Sequence, residues 1–279
     1  MNKLIYFHGF GSSGEGCTVR SLRELLPEWE VLAPDIPVDP EEALPFLTDF
    51  CKREQPNVIV GTSMGGMYAQ QMRGFKRICV NPAFYISHQK DILKEGTFEF
   101  FNPRKNGEKK FSITPDIIQH FTEMESHQFD GITDYDKKYV FGLFADNDTT
   151  VNCEPVFLQY YTNVIHFHGG HRLDRQTIQQ VVVPLVLELI KHEYRWEDNG
   201  YIYVFSLDRQ SASFEEIDHL DFSRYLLGID VQGLMKVLQI TDLGQLAEEV
   251  KANFNYGIME HILKKHGIAY STYSDAYFD

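Results

Sequence analysis

Asn57-Val58-Ile59-Val60-Gly61-Thr62-Ser63-Met64-Gly65-Gly66-Met67-Tyr68-Ala69-Gln70-Gln71-Met72 joins an apolar triplet to a helix-length segment through a serine set between glycines. Val58 to Val60 is a short β-branched run of the kind that forms a buried strand, and Gly66 to Met72 has helix length and composition. Between them stands Gly61-Thr62-Ser63-Met64-Gly65, a G-x-S-x-G pattern in strand-turn-helix context. With 20 glycines in 279 residues, chance supplies only about 0.07 such matches before any context is required. A turn this sharp strains the serine backbone, and small residues on both sides let strand and helix approach without clashing. The helix start then lies under the serine, with the Met64 N–H pointing where an oxyanion would form. A Gly-rich turn with a purely structural role is the competing reading.

Working outward, short apolar runs recur at Leu4 to Phe7, Trp29 to Ala33, Ile78 to Val80, Tyr139 to Phe144 and Val164 to Phe167. Helix-length segments lie between them at Thr18 to Leu26, Glu41 to Arg53 and Gly66 to Arg73. This alternation predicts a mostly parallel α/β sheet with flanking helices. Residues 85–138 are too long for a simple crossover and are read as a cap insertion. Thr114-Pro115-Asp116 starts a helix there, with Ile117, Phe121 and Met124 on one face. Two readings of the insertion stay open: a helical excursion with its own small core, or a cap that forms an apolar pocket over a site.

A closing helix is expected over Thr177 to Tyr194, kinked at Pro184. A domain boundary near 195 separates residues 1–194 from a small α+β appendage, 195–279. The appendage begins with a turn at Glu197-Asp198-Asn199-Gly200 and a strand at Tyr201 to Phe205. A capping box at Ser213 and Glu216 follows, then amphipathic stretches at Phe214 to Leu227 and Leu243 to Lys265. The aromatic tail (Tyr270, Tyr273, Tyr277, Phe278) is expected to pack on the appendage's own core. The appendage also offers a surface for a second copy or a protein partner.

Composition narrows the class. Hydrophobic residues at 43% and charged residues at 24% describe an ordinary globular chain. A formal net charge of -14 repels phosphate backbones and anionic lipid, so neither nucleic acid nor a membrane surface is expected as a partner. No apolar run has membrane-spanning length. The apolar run at Leu4 to Phe7 is too short for a signal peptide, and Cys17, Cys51, Cys79 and Cys153 are scattered like reduced thiols. The expectation is a cytoplasmic protein.

A serine hydroxyl is a poor nucleophile near neutral pH and needs a base with a group to orient it. In this architecture the chain order is serine, acid, histidine. After the fifth strand comes Ala145-Asp146-Asn147-Asp148, and after the sixth Gly169-Gly170-His171-Arg172. His171 is the candidate base. Asp148 is the favoured acid, because some loop is needed before a side chain can turn back to the histidine. Asp146 is the alternative, with a turn-stabilising role as its other reading. His8, ending the first strand, is expected to brace the loop after it by hydrogen bonding. Two further patterns compete. Gly9-Phe10-Gly11-Ser12-Ser13-Gly14 with Asp35 imitates a dinucleotide loop, but Gly14-Glu15-Gly16 delays the helix and sets a negative charge where pyrophosphate would sit. His166, His168 and His171 have H-x-H-x-x-H spacing, which suggests a metal site, but Gly170 stands where metallo-β-lactamase-like hydrolases have a ligand aspartate. Neither a cofactor nor a metal is expected.

Tyr6-Phe7-His8-Gly9-Phe10-Gly11-Ser12-Ser13, Gly61 to Ala69, Asn81-Pro82-Ala83 and Gly169-Gly170-His171-Arg172 resemble the small bacterial α/β-hydrolase esterases of the YqiA/YcfP type (UPF0227-like), over about residues 3–192. The resemblance implies an α/β-hydrolase domain with Ser63 as nucleophile, His171 as general base and Asp148 as its orienter. It also implies the backbone N–H groups of Phe10 and Met64 as oxyanion donors. The expected activity is hydrolysis of a small-molecule carboxylic ester or thioester through an acyl-enzyme. Amide or peptide cleavage on the same triad, and a catalytically silent binding module, are the alternatives. The insertion is longer than a minimal member needs, and the segment after 195 matches no known pattern.

Overall fold

A computed structural model describes residues 2–208, 210–218 and 222–274. Contacts divide the chain into two units, Met1–Leu189 and Ile190–Asp279. The first unit holds a six-stranded parallel sheet built from β1 (Lys3–Phe7), β2 (Glu30–Leu32), β3 (Val58–Thr62), β4 (Arg77–Val80), β7 (Val140–Ala145) and β8 (Asn163–Phe167). Their spatial order is β2-β1-β3-β4-β7-β8. The strands are the six short apolar runs of the sequence, since a parallel sheet covered on both faces buries successive residues rather than alternate ones. In β1, Leu4, Ile5, Tyr6 and Phe7 are all buried. The helices α1 (Cys17–Leu25), α2 (Pro40–Glu54) and α3 (Met64–Gln71) fill the crossovers. Asp39 caps α2 by accepting from the Glu41 N–H, with Pro40 at the first helical position.

The insertion is more than helical. It contains a hairpin, β5 (Gly96–Glu99) paired antiparallel with β6 (Lys110–Ile113), before α4 (Pro115–His127) and α5 (Asp134–Tyr139). Thr114 caps α4 as its sequence predicts, accepting from the Ile117 N–H. Phe111, Ile113 and Phe121 do not form a separate small core: they join the cluster made by Phe7, Ile59, Met67, Tyr68 and Cys79. Of the hairpin strands, β6 turns only Phe111 and Ile113 to that cluster and β5 only Phe98, and so weak an alternation beside charged Lys109 and Lys110 reads as no strand.

The connection from β7 to β8 carries α6 (Glu154–Phe157), and beyond β8 come α7 (Arg175–Thr177), a π-helical stretch Ile178–Val182, and α8 (Val183–Leu189). The closing helix therefore stops at Leu189, short of the expected Tyr194, because residues 192–198 form a strand. The π-helical stretch ends at Val182, two residues before Pro184, which has no N–H to give to the helix.

The second unit is a five-stranded antiparallel sheet in the order β13-β12-β11-β10-β9, where β9 is His192–Asp198, β10 Tyr201–Leu207, β11 Ser211–Ile217, β12 Ser223–Asp230 and β13 Ser271–Ser274. The β9–β10 turn uses Asn199 at φ 51 and Gly200 at φ 81, the two left-handed positions of a two-residue hairpin. The expected capping box at Ser213 and Glu216 and the amphipathic stretch Phe214 to Leu227 are strands instead. Ala212, Phe214 and Glu216 alternate inward while Ser211, Ser213, Glu215 and Ile217 face out. The serine and glutamate match helix spacing by coincidence; Glu216 instead faces Arg224 and accepts the Tyr256 N–H at 3.2 Å. Helices α9 (Val231–Leu238), α10 (Leu243–Asn253) and α11 (Tyr256–His266) supply Leu234, Leu246, Val250, Met259 and Leu263 to this unit's core. The single stretch expected over Leu243 to Lys265 is broken at Phe254-Asn255, where Asn255 caps α11. Tyr270 packs against the same core and Tyr273 lies in β13; Tyr277 and Phe278 lie outside the described residues. No helix among the described residues is long and apolar enough to cross a membrane.

One buried ion pair anchors the end of the sheet away from the Ser63 turn. Arg77, at the start of β4, bonds Asp136 of α5 with both side chains fully buried. Burial alone would push the Asp136 carboxyl up. The Thr133 and Gly74 N–H groups and the Arg77 guanidinium outweigh it and hold that carboxyl below its usual range. Asp136→Asn or Arg77→Met should each lower stability by about 3 to 5 kcal/mol, because each leaves an uncompensated buried partner. Urea denaturation checks this, and the double variant Arg77→Met with Asp136→Asn, which keeps an acceptor for the Thr133 and Gly74 N–H groups, should lose less than the two single losses added together.

Candidate active site

Close approach of backbone explains the glycines of the decisive stretch. A Cβ on Gly61 would lie 2.1 Å from the Gly65 carbonyl oxygen, and one on Gly65 would lie 2.1 Å from that of Phe7. No side chain fits at either position, so β1, β3 and the start of α3 can meet only with glycine there. Ser63 itself sits at φ 55, ψ -122 between β3 and α3, a strained conformation for a non-glycine residue. Its N–H donates to the Val80 carbonyl at 3.0 Å, and its carbonyl accepts from Gly66, Met67 and Ala83. The turn is therefore over-determined, and it thrusts the hydroxyl off the end of the sheet.

Two other strand ends meet that hydroxyl. His171, in the loop after β8, places Nε2 3.0 Å from Ser63 Oγ and Nδ1 2.7 Å from Asp148 Oδ2. With Nδ1–H donating to the carboxylate, Nε2 is left to accept the serine hydroxyl. The Asp148 side chain is 5% exposed and that of His171 19%, so this chain of bonds is largely shielded from water. Asp148 Oδ1 also accepts the N–H groups of Thr150 and Val151 at 2.8 and 3.1 Å, which locks the carboxylate's orientation.

Asp146 has a different set of partners. Its oxygens take His168 Nδ1 at 2.8 Å and the Gly169 N–H at 3.0 Å, tying the two loops together at the surface. That hydrogen bond holds His168 above the ordinary histidine value and Asp146 below the usual carboxylate range. His166 bonds Glu154 at 2.8 Å. The three histidines of the H-x-H-x-x-H pattern thus face three different carboxylates, and among the described residues no group of three or more side chains is placed to hold a metal.

The loop after β1 completes the site. A Cβ on Gly9 would come within 3.4 Å of Ser63 Cβ, so the backbone just before Phe10 runs directly beside the serine. Met64 opens α3, where the first N–H groups have no partner within the helix. His8 braces this loop: its Nε2 accepts the Ile36 N–H at 3.0 Å and its Nδ1–H donates to the Gly9 carbonyl at 2.9 Å. Asp35 closes the rest of the glycine loop, accepting from the Gly14 N–H at 2.8 Å and the Lys105 N–H at 2.7 Å. The residues that imitate a dinucleotide loop are thus consumed in holding it shut. The insertion hairpin adds the Phe101 N–H to the Gly11 carbonyl at 2.8 Å, an edge contact of Phe111 with Phe10, and Arg104 to the Ile36 carbonyl at 2.9 Å. Sequence reasoning missed Arg104, and singled out Asn81 only as part of the Asn81-Pro82-Ala83 motif, without a role. Asn81 donates to the Gly170 and His171 carbonyls and accepts from Ala145. The only local signal for it is an asparagine before proline at a strand end.

The serine turn between β3 and α3, the acid after β7 and the histidine after β8 are the α/β-hydrolase arrangement. Residues 3–138 match UPF0227, an uncharacterised protein family. The motif resemblance thereby holds over that span, which contains Phe10, Ser63 and Met64 and ends before Asp148 and His171. No curated protein matches this chain. Solved structures similar to it include Est1E from Butyrivibrio proteoclasticus, 18% identical with a TM-score of 0.47, over 68% of this chain and 88% of that one. The esterase domain of a Rhodothermus marinus protein is 16% identical with a TM-score of 0.48, over 67% and 85%. Mouse alpha/beta hydrolase domain-containing protein 10 is 14% identical with a TM-score of 0.46, over 67% and 90%.

Burial pushes His8 down from 6.5 to about 4. A base whose folded value is depressed contributes stability above its unfolded value, and that contribution drains away as pH falls through the folded value. The shift, at roughly 1.4 kcal/mol per unit, makes about 3 kcal/mol. Urea titrations from pH 7 to pH 4 should show the chain losing about this much more stability than His8→Gln, which has no proton to gain.

Proposed function

We propose that this chain is a serine hydrolase that cleaves a carboxylic ester or thioester of a small molecule through an acyl-enzyme. The observation that carries the reading is the unbroken hydrogen-bond chain from Ser63 Oγ through His171 to the shielded Asp148 carboxylate. In this reading His171 Nε2 takes the Ser63 proton as Oγ attacks the acyl carbon, while Asp148 keeps the imidazole in the required tautomer and stabilises its charged form. The oxyanion is met by the N–H groups of Phe10 and Met64, the latter backed by the positive end of α3. His171 returns the proton to the leaving alkoxide or thiolate, then draws one from water as the acyl-enzyme is hydrolysed.

A fluorophosphonate probe should add its mass to the peptide containing Ser63 and leave Ser63→Ala unmodified; labelling that persists in that variant overturns the mechanism. On a panel of p-nitrophenyl esters and acyl thioesters, Asp148→Asn should lower kcat by roughly 10⁴-fold, as loss of the correct tautomer does in serine proteases. Asp146→Asn, which touches only the outer loop tie, should stay within about threefold of the parent.

A further inference from the structure

Asn81 spends both side-chain hydrogens and its side-chain oxygen on the backbone of two other strand ends. It is 3% exposed and follows β4 at φ 42, a left-handed conformation that asparagine tolerates better than most residues. Its backbone N–H donates to the Leu143 carbonyl at 2.8 Å, and its Oδ1 accepts the Ala145 N–H at 2.8 Å. These two bonds fix the end of β7, from which the loop bearing Asp148 leaves. The two hydrogens of Nδ2 go to the carbonyls of Gly170 and His171, each at 3.2 Å. Two residues on, the Ala83 N–H bonds the Ser63 carbonyl at 3.1 Å.

We infer that Asn81 is the positioning residue that sets His171 between Asp148 and Ser63, one amide fixing the roots of the acid and base loops together. The acid and base leave from adjacent strands, and nothing in a glycine pair such as Gly169-Gly170 holds a loop in one place. Asp146 ties the outer part of the histidine loop, at Gly169, whereas Asn81 grips the backbone of His171 itself. Asn81 touches no reacting atom; it acts through the histidine.

The inference rests on the triad reading, so its test needs a readout that does not require turnover. Asn81→Asp keeps the acceptor for Ala145 and the tolerance for positive φ but removes both donors and turns a charge on the two carbonyls. Asn81→Gly removes the side chain while relieving the backbone, which protects folding. The primary measurement is the downfield proton resonance of the His171 Nδ1–H bonded to Asp148, assigned by its loss in His171→Gln. This resonance should be present in the parent and broadened or lost in both Asn81 variants at unchanged secondary structure by circular dichroism. On the ester that the parent turns over, kcat should fall roughly 10- to 100-fold with KM within about threefold, the size of effect a displaced catalytic group produces. An unaltered His171 resonance in either folded variant, or kcat within twofold of the parent, overturns the assignment. A parent that shows the resonance but neither hydrolyses esters nor labels at Ser63 overturns the hydrolase reading and leaves the role of Asn81 to be decided by the resonance alone.

Discussion

The structure depends on one steric constraint: three backbones, from β1, β3 and α3, pass so close together that no side chain fits between them. With the Gly65 position 2.1 Å from the Phe7 carbonyl and the Gly61 position 2.1 Å from that of Gly65, contact is made by main chain alone. That closeness forces Ser63 into its strained conformation and puts the helix start directly beneath it. It also brings the end of β1 alongside, so that Gly9 passes beside the same hydroxyl. One packing requirement thus sets where the serine is, what backs it and which loop faces it.

Once the hydroxyl is placed, the rest of the site is an arrangement of loop anchors. Each loop is held by at least one contact to a different strand end: the acid loop by its own amides and by Asn81, the histidine loop by Asn81 and Asp146, the loop after β1 by His8 and Asp35. Most of these anchors are uncharged or shielded, which spares them the screening that weakens surface ion pairs. His8 stays neutral through burial, and neutrality is what lets one of its nitrogens accept while the other donates.

Much of the first unit was legible because parallel strands buried on both faces read as short apolar runs, whatever their partners are. All six strands and α1 to α3 fall where those runs and the segments between them lie. The second unit was less legible, since half-exposed antiparallel strands carry polar residues whose spacing can imitate a helix start, as Ser213 and Glu216 do. Within the site, order along the chain and loop reach put Asp148 ahead of Asp146, and the two acids in the structure have separate histidines, 171 and 168. The bracing contacts were out of reach for a different reason. Ile36 lies 28 residues from His8, and Arg104 lies 68 residues from Ile36, so no local pattern encodes either bond.

The hairpin of the insertion, fastened to Gly11, Ser12, Asp35 and Ile36, makes the segment 96–113 a structural member of the loop after β1. The two cannot be exchanged separately between relatives: a chimera that swaps one without the other would break hydrogen bonds on both sides of the seam. The turn at Asn106-Gly107-Glu108 is outside that obligation, since its residues are exposed and Gly107 at φ 80 has open space around it. Length variation in this part of the chain therefore has a natural outlet at that tip, which can grow or shrink while the stem keeps its grip.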